Sequence, residues 1–373
     1  MKYKIKYVDL AAKHDSIKSE IKSEIDSVFK NSAFILRKNV SKFEKKICKI
    51  LGVKYCVSVN SGTDALLFAL SQLGLKKNDE VITPSHTYVA SVSAIYHVGA
   101  IPIFVDIRDD FNIDPNLIEK KITKKTKAIM VVHLNGRSCE MKPILKIAKK
   151  YKLKIIEDAA QGFGAMYNGK YVGNFGIAAA FSLHPMKNLS VPGDGGFLTT
   201  NSKKIYDKIL LLRDHGRVRK KNDQIFKCYG FNSRLDNLHA SIALVKLKYF
   251  IGWMIKRRKI AEFYDEQLKS ISNYIITPIL DKKDKIYQDT FNSYIVRSKK
   301  RDSLKKYLLK NKIEVVSGID KGVHLQKNLY SKKVHLSKTE QIEKEILSLP
   351  IYPELSKKKQ LIICNAIKKF YTE

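Results

Sequence analysis

The stretch Lys154-Ile155-Ile156-Glu157-Asp158-Ala159-Ala160-Gln161 passes directly from apolar side chains to two adjacent carboxylates. The apolar run predicts a buried strand, and because side chains alternate along a strand, Glu157 and Asp158 point to opposite faces of the sheet. A carboxylate at the end of a buried strand needs a positive partner, or its pKa shifts. The stretch alone is consistent with a structural ion pair or with a functional acid.

Short apolar runs on either side of this stretch alternate with helical patterns. Strands are predicted over residues 55–59, 80–83, 101–105, 128–133, 154–157, 179–183 and 196–199. Helices are predicted to begin near Thr63, Tyr88, Pro115, Met141 and Lys203. Alternation of this kind predicts an α/β fold with three layers, α/β/α, in which a mostly parallel sheet lies between two layers of helices.

The last third of the chain has a different pattern. A helical stretch over residues 235–268 is followed by the patterns of a strand (290–296), a helix (302–310), a second strand (314–317) and a terminal helix (360–371). We therefore predict a large domain over residues 1–250, which includes an N-terminal helix, and a smaller C-terminal α+β domain over residues 251–373.

The composition excludes several classes of protein. Apolar residues make up 44% of the 373 residues, so the chain is neither disordered nor fibrous. No segment has the roughly 18 consecutive apolar residues that cross a bilayer, and no signal peptide is visible. The five cysteines are scattered without a CxxC pair, and the nine histidines show no metal-binding spacing. We expect a cytoplasmic protein with reduced thiols, no metal site and no membrane association.

The formal net charge of +34 is typical of proteins that bind nucleic acid. Arginine is the side chain suited to bidentate contacts with phosphates and bases, but only 11 of the 70 basic residues are arginine. The lysines are spread along the whole chain instead of forming one basic stripe. We therefore interpret the charge as a lysine-rich bias of solvent-exposed faces, and we expect no nucleic-acid partner.

Polar residues of special types follow several predicted strands, and such strand ends carry the functional loops of parallel sheets. In Ser61-Gly62-Thr63-Asp64-Ala65-Leu66 the glycine permits a tight turn, and the following helix directs free N–H groups outward, as a phosphate requires. An ordinary capped helix gives the same pattern. Lys187 follows the strand at 179–183 and precedes Gly193-Asp194-Gly195-Gly196. A lysine held in an apolar site has a lowered pKa and can form an imine.

Pyridoxal 5′-phosphate explains the whole set of residues. This cofactor needs an amine for an imine, a carboxylate for its ring nitrogen, an aromatic ring for stacking and donors for its phosphate. The sequence supplies each of them at the end of a predicted strand.

Ten segments then occur in an order and spacing that are specific together, although none is specific alone. They are SGTDAL (61–66), DEVITP (79–84), GAIP with VDI (99–107), TKAI (126–129), IEDAAQ (156–161), the Lys187 segment with GDGG (187–196), DHGR (214–217), NSRLD (232–236), HLQ (324–326) and LSLP (347–350). With these segments the chain resembles, nearly from end to end, the DegT family of sugar-nucleotide aminotransferases, a branch of the fold-type I pyridoxal-phosphate enzymes.

The resemblance implies a role for each residue around the cofactor ring. Lys187 would bind the cofactor through an imine and later move the proton between the donor's α-carbon and the cofactor. Asp158 would keep the ring nitrogen protonated. Gln161 would hydrogen-bond the phenolic oxygen of the ring, and Tyr88 would stack on it. Lys187 and Asp158 are therefore the predicted catalytic residues.

The resemblance also implies how the phosphate is held. The amides of Gly62 and Thr63 and the Ser182 hydroxyl would bind it from one subunit. Asn232 would reach it from the neighbouring subunit, which implies a homodimer with shared active sites.

Three further residues are candidates for contact with the substrate. His184 either touches the substrate or is a packed histidine at a strand end. Arg217 and Arg219 either meet the substrate's diphosphate from across the dimer or belong to a solvated run of charges.

The resemblance implies transfer of an amino group from an amino acid, L-glutamate, to a nucleotide-linked keto sugar, with polysaccharide biosynthesis as the expected setting. The segments at 232–236 and 347–350 are most similar to members that act on 3-keto sugars. We therefore expect a 3-keto-6-deoxyhexose linked to dTDP or a related 3-keto UDP-sugar. A 4-keto nucleotide sugar or an eight-carbon keto acid sugar is the alternative. A sugar dehydratase of the same fold is less favoured, because those enzymes carry histidine at the position of Lys187.

Overall fold

The structure is a computed structural model that describes residues 3–220, 223–278, 285–330 and 333–372. The helices are α1 (Leu10–Asp15), α2 (Lys18–Lys30), α3 (Lys38–Leu51), α4 (Gly62–Ser71), α5 (Val89–His97), α6 (Pro115–Ile118), α7 (Met141–Lys150), α8 (Lys203–Arg213), α9 (Asn237–Leu268), α10 (Arg301–Lys310), α11 (Ser337–Glu345) and α12 (Lys357–Thr372). The strands are β1 (Tyr55–Val59), β2 (Glu80–Pro84), β3 (Ile101–Val105), β4 (Thr126–Val132), β5 (Lys154–Asp158), β6 (Met166–Tyr167), β7 (Lys170–Tyr171), β8 (Ala178–Ser182), β9 (Gly196–Thr200), β10 (Arg217–Lys220), β11 (Asp223–Phe226), β12 (Tyr287–Gln288), β13 (Tyr294–Arg297) and β14 (Ile346–Leu349).

The central sheet has seven strands in the order β1-β9-β8-β5-β4-β2-β3. Neighbouring strands from β8 to β3 pair in parallel, whereas β9 is antiparallel to both β8 and β1. Six of the seven strands therefore run in one direction, which confirms the predicted mostly parallel sheet. Their carboxyl ends meet at one edge, where parallel sheets bind ligands.

Both faces of the sheet are covered, because alternate residues of its buried strands point to opposite sides. On β4, Ala128 and Met130 pack in the core shared with α4, α5 and α8. Ile129 and Val131 of the same strand pack on the other face, against α6 and α7. Helices α3 and α9 continue this second layer over β8 and β9. The predicted three-layer α/β/α fold is confirmed.

The predicted strands of the sheet begin and end within two residues of the observed ones. The helix predicted from residue 235 begins at Asn237, because Asp236 has an extended backbone (φ −62°, ψ 142°) and lies just before the first turn.

Two predictions for the last third of the chain were wrong. Residues 314–317 do not form a strand, because the segment makes only one isolated bridge, between Val316 and Ser348, and the preceding Ile313 bridges a different partner, Ile5. The strand predicted from residue 290 begins at Tyr294, because Phe291 has a φ of 46° and interrupts the extended backbone.

The long helix α9 passes from one hydrophobic cluster into another. Trp253 and Met254 pack with the layer that covers the sheet. Ile260 and Tyr264 pack in a second cluster with β13, β14, α10 and α12, which Ile5 joins from the start of the chain. This change of partners falls just after the predicted boundary at residue 250, and the division into two domains stays a prediction.

The stretch Asn237–Ile271, which contains α9, is long and apolar enough to cross a membrane by length and composition. However, 56% of its most apolar part is buried inside the protein. Core helices pass the same test, so this helix is weak evidence for a membrane span.

Candidate active site

A cavity of about 390 Å³ lies at the edge where the parallel strands end. This volume is in the range of roughly 300–1,000 Å³ that is usual for sites of small molecules. The lining residues come mainly from the loops after β1, β2, β4, β5 and β8, and they are Ser61, Gly62, Thr63, Leu66, Thr87, Tyr88, Ala90, Ser91, Val132, Leu134, Asp158, Ala160, Gln161, Ser182, His184, Met186, Lys187, Asp194 and Ile319.

Asp158 is the last residue of β5 and lines this cavity, 5% exposed. The Ser91 hydroxyl donates a hydrogen bond of 2.6 Å to its Oδ2, and the Ala160 N–H donates one of 3.1 Å to its Oδ1. Burial raises the pKa of Asp158, while the two hydrogen bonds and the nearby Lys187 oppose that rise. The result is an oriented, buried acid that a cationic partner would stabilise in its ionised form.

Glu157, the neighbouring carboxylate, points to the opposite face and has a different environment. It accepts hydrogen bonds of 2.7 Å from the backbone N–H groups of Gly173, Phe175 and Gly176. His133 contributes a fourth contact, with its Nε2 3.1 Å from Glu157 Oε2. Glu157 therefore anchors the loop before β8, and it does not line the cavity.

Lys187 lies in the turn that follows β8, and its side chain lines the same cavity as Asp158. The turn closes through a hydrogen bond of 2.8 Å from the Lys187 N–H to the carbonyl of His184. Burial lowers the pKa of the Lys187 amine, and the Asp158 carboxylate acts in the opposite direction. A lowered pKa favours the neutral amine, which is the nucleophilic form.

The start of α4 lies against the end of β8. Ser61 caps the helix by accepting a hydrogen bond of 3.0 Å from the Asp64 N–H. A Cβ atom at Gly62 would lie 2.8 Å from the Ser182 Cβ, so the close approach of the helix to the strand requires glycine. Free N–H groups of this helix end therefore lie beside the Ser182 hydroxyl at the cavity wall, as an anion site requires.

Tyr88 and Gln161 also line the cavity. Tyr88 directly precedes α5 and is 68% exposed, so its ring is available to stack on a ligand. The Gln161 Oε1 accepts a hydrogen bond of 2.8 Å from the Asn135 N–H, which leaves the amide nitrogen as the donor of this side chain.

The candidate substrate residues have different positions. His184 is exposed and lines the cavity, with its Nδ1 3.3 Å from the Met186 N–H. Arg217 does not line the cavity of its own chain; its Nη2 forms an ion pair with both carboxylate oxygens of Asp214, at 2.9 and 3.0 Å. Arg219 lies on β10, and its side chain is outside the described residues.

Asn232, the residue predicted to act across a dimer, is exposed and does not line the cavity of its own chain. It forms an isolated backbone bridge with Asp214. The structure thus brings together all of the other predicted cofactor residues and leaves Asn232 on the surface.

Sequence reasoning gave no role to Thr87, Ser91 and Ile319, which line the cavity. Ser91 follows Tyr88, the residue that precedes α5, by three residues, and that spacing puts both on the same side of the helix start. This spacing was a signal that could have pointed to Ser91. Ile319 comes from the last third of the chain, and no local pattern marks it.

The model of the DegT/DnrJ/EryC1/StrS aminotransferase family matches residues 15–368. The chain belongs to this family. The predicted family and the enzyme class of this aminotransferase are thereby confirmed.

Relatives of the aminotransferase match over nearly its full length. It is 40% identical, over 98% of this chain and 99% of the relative, to dTDP-3-amino-3,6-dideoxy-alpha-D-galactopyranose transaminase of Aneurinibacillus thermoaerophilus. It is 38% identical, over 98% of both chains, to a protein of Geobacillus stearothermophilus named pleiotropic regulatory protein. Among solved structures, DesV of S. venezuelae in complex with a ketimine intermediate has a TM-score of 0.93, with 32% identity and 100% coverage of both chains.

Enzymes of this family use pyridoxal 5′-phosphate, so the predicted cofactor is confirmed as that of the aminotransferase. The cavity fits this cofactor. It combines a buried carboxylate, a partly buried amine and an exposed aromatic residue with a helix start that only glycine allows so close to β8.

Proposed function

We propose that the aminotransferase moves the amino group of L-glutamate to the keto carbon of a nucleotide-linked sugar. The observation that carries the proposal is that Lys187 and Asp158 line one cavity together with the start of α4. The relatives support a sugar nucleotide as the acceptor, because one of them is named as a transaminase of a dTDP-linked 3-amino sugar. When bound, pyridoxal 5′-phosphate supplies an aldehyde for the amino group and a ring that accepts electrons.

Lys187 is the residue that moves protons in this proposal. Its pKa is lowered by burial, so a larger share of the amine is neutral near pH 7 than for a lysine in water. The neutral Nζ would hold the cofactor through an imine and, once the donor's amine has displaced it, would remove the proton from the donor's α-carbon and later return a proton to the sugar carbon. Positioned proton transfer of this kind contributes roughly a hundred- to ten-thousand-fold to a rate.

Asp158 provides the negative charge for the ring nitrogen. Ser91 and Ala160 donate to one oxygen each, so the carboxylate is fixed in one orientation. Gln161 would donate its amide N–H to the phenolic oxygen, since its own oxygen is engaged by Asn135. Gly62, Thr63 and Ser182 would bind the phosphate, and Tyr88 would stack on the ring.

We also propose a homodimer whose subunits share their active sites, in the cytoplasm. Asn232 lies on the surface beside a group of exposed aromatic residues, and exposed apolar patches of this kind mark interfaces. The exposed fractions are 61% for Phe226, 102% for Tyr229 and 48% for Phe231. In the dimer, Asn232 would reach the phosphate in the partner's cavity. Arg217 and Arg219 would come near the diphosphate of the substrate.

For the acceptor we propose a 3-keto-6-deoxyhexose linked to dTDP or a related 3-keto UDP-sugar. A 4-keto nucleotide sugar and an eight-carbon keto acid sugar are the alternatives within the same reaction. A dehydratase is disfavoured by Lys187. A regulatory role without catalysis is disfavoured too, because it gives no reason for an amine with a lowered pKa and a buried acid to line one cavity.

Borohydride reduction of the cofactor-loaded protein, followed by peptide mass mapping, tests the role of Lys187. We expect a stable label on Lys187 in the wild type and none in Lys187→Ala. A label on another lysine, or loss of the yellow colour without any label, would contradict the proposal.

Incubation with L-glutamate and a panel of keto sugar nucleotides tests the substrate. We expect an amino sugar and 2-oxoglutarate in equal amounts from the 3-keto compounds. Faster turnover of a 4-keto compound or of an eight-carbon keto acid would identify the alternative acceptor. A product that has lost water without consuming glutamate would identify a dehydratase.

A further inference from the structure

Two lysines that do not line the cavity are buried behind the segment that carries Lys187. Lys13 of α1 is 3% exposed and Lys246 of α9 is 0% exposed. Lysine is almost never fully buried unless polar partners satisfy its amine. The hydrogen-bond partners of these two amines therefore indicate which part of the structure the buried lysines stabilise.

Lys13 directs its amine at the backbone of the segment 187–190. Its Nζ lies 3.3 Å from the carbonyl oxygen of Lys187, 3.3 Å from that of Asn188 and 3.0 Å from the Ser190 Oγ. The protonated amine has three N–H donors and these three oxygens can accept all of them, whereas the neutral amine donates two. One of these oxygens belongs to Lys187 itself.

Lys246 reaches the same segment from a different helix. Its Nζ donates a hydrogen bond of 2.7 Å to the carbonyl oxygen of Ser190 and lies 3.0 Å from the His14 Nε2. Helices α1 and α9 are thereby joined at the segment 187–190, which has no regular secondary structure.

Among the residues with described positions, neither the Lys13 nor the Lys246 amine is paired with a carboxylate, which is the usual partner of a buried lysine. Arg257 adds a further positive charge near Lys13. Glu354 acts on Lys13 only through space. Burial lowers the pKa of Lys13 to about 7 and that of Lys246 to about 8. Burial of an amine costs free energy unless its N–H groups have acceptors. Most of the acceptors of these two amines belong to the segment 187–190.

We propose that Lys13 and Lys246 are positioning residues that fix the backbone at 187–190 and so hold the Lys187 amine in one place beside Asp158. The proposal rests on the role of Lys187 given above. A reacting group must be held in a productive geometry, and a displacement of about 1 Å can cost roughly a hundredfold in rate. The hydrogen bonds to the Lys187 and Asn188 carbonyls restrict that displacement.

The test uses the full-length, cofactor-loaded Lys13→Met variant, with Lys18→Met as the matched control. Lys18 is an exposed lysine at the start of α2. In Lys13→Met we expect kcat to fall roughly ten- to a hundredfold, with KM for L-glutamate within about twofold of the wild type. Hydrogen–deuterium exchange is expected to become faster in the peptide that covers 183–191, with and without the cofactor. Lys18→Met is expected to match the wild type in both measurements.

Wild-type kcat together with wild-type exchange at 183–191 would overturn the proposal. So would exchange that becomes faster throughout the central sheet while kcat per folded molecule is unchanged, because that pattern indicates a purely structural role. If Lys13→Met does not fold, the same two measurements are made on Ser190→Ala. This variant removes one acceptor of Lys13 without changing a charge. We then expect the same local change in exchange and a smaller fall in kcat, and no change in either would refute the inference.

Failure of the proposed function would look different. If wild-type protein carries its borohydride label on another lysine, the role of Lys187 is wrong whatever Lys13→Met shows. If the label is on Lys187 and the variant behaves as the wild type, only the positioning role is wrong.

Discussion

The Ser91 hydroxyl donates a hydrogen bond of 2.6 Å to the Oδ2 of Asp158. Ser91 lies in the first turn of α5, three residues after Tyr88. The Thr87 Oγ1 lies 2.7 Å from the Ser91 Oγ. Because Ser91 has one hydroxyl proton and gives it to Asp158, Thr87 must be the donor in the second bond. The loop that presents the stacking tyrosine therefore also orients the buried acid, through a chain of two hydroxyl groups.

Replacement of Ser91 by alanine should weaken cofactor binding. The hydrogen bond favours the ionised carboxylate, and bonds to charged groups contribute about 1.5–3 kcal/mol. We therefore expect the dissociation constant of pyridoxal phosphate to rise roughly ten- to a hundredfold in Ser91→Ala. Absorbance titration of the cofactor-free protein measures it. Ser93→Ala, two residues further along α5, is the control and should bind as the wild type; equal affinities in all three proteins would exclude the orienting role.

The adjacent carboxylates Glu157 and Asp158 should have opposite mutational effects. Glu157→Gln places an amide NH₂ against backbone N–H donors, and each buried group left without a partner costs about 1–3 kcal/mol. We expect a lower free energy of unfolding with activity per folded molecule largely retained.

Asp158→Asn, in contrast, removes a charge that burial already disfavours, so its unfolding free energy should stay close to that of the wild type. Transamination should fall at least about a hundredfold, as on the loss of a single electrostatic group in an active site. Urea denaturation and turnover with L-glutamate separate the two effects. The structural role of Glu157 and the catalytic role of Asp158 are both wrong if the activity loss is found in Glu157→Gln and not in Asp158→Asn.

Much of this arrangement was predictable because strand–helix alternation determines where loops meet. The residues that follow β1, β5 and β8 are close in the structure because parallel strands share one edge. Apolar runs therefore located the cavity, and the types of residue that follow these strands, together with the resemblance to the DegT family, indicated its chemistry.

Other features depend on contacts that no local pattern encodes. Arg217 forms an ion pair with Asp214 of the same chain, and the sequence alone does not show which carboxylate an arginine pairs with. Lys13 lies 174 positions from Lys187, and among so many lysines nothing distinguishes the buried one before the chain is folded. The isolated bridges of Ile313 and Val316 depend likewise on where Ile5 and Ser348 come to lie.

A methyl group at Gly62 should disturb the phosphate end of the cavity. The added Cβ would lie 2.8 Å from the Ser182 Cβ, so the helix start or the strand end must move. Overpacking of this kind costs about 1–3 kcal/mol. For Gly62→Ala we expect lower stability in urea denaturation and weaker retention of the cofactor during dialysis.

Gly252→Ala is the control for this change. Gly252 lies within α9, and a Cβ there would have no atom within 4 Å. Alanine in a helix interior is favoured over glycine, so this variant should gain up to about 1 kcal/mol. A Gly62→Ala protein with wild-type stability and cofactor retention would contradict the close packing of α4 on β8.

Lys13 should make stability depend on pH in the alkaline range. Its pKa is lowered from 10.5 in the unfolded chain to about 7 in the folded protein, first of all by burial. Between these two values the folded state has released a proton that the unfolded state still binds. Stability therefore rises with pH in this window, by up to about 1.4 kcal/mol per pH unit, and levels off above the unfolded pKa. Below pH 7 both states are protonated and the full cost of burying the charge remains.

The measurement is the free energy of unfolding of wild type and Lys13→Met at several values between pH 7 and 10. Other groups, Lys246 among them, titrate in the same range, so the difference between the two proteins is the decisive quantity. We expect this difference to change in favour of the wild type as the pH rises, because methionine has no proton to release. The same comparison for the exposed Lys18→Met should give a constant difference. A constant difference for Lys13→Met as well would mean that its amine keeps an ordinary pKa, and the close approach to three oxygens would then reflect a fully charged group at every pH in the window.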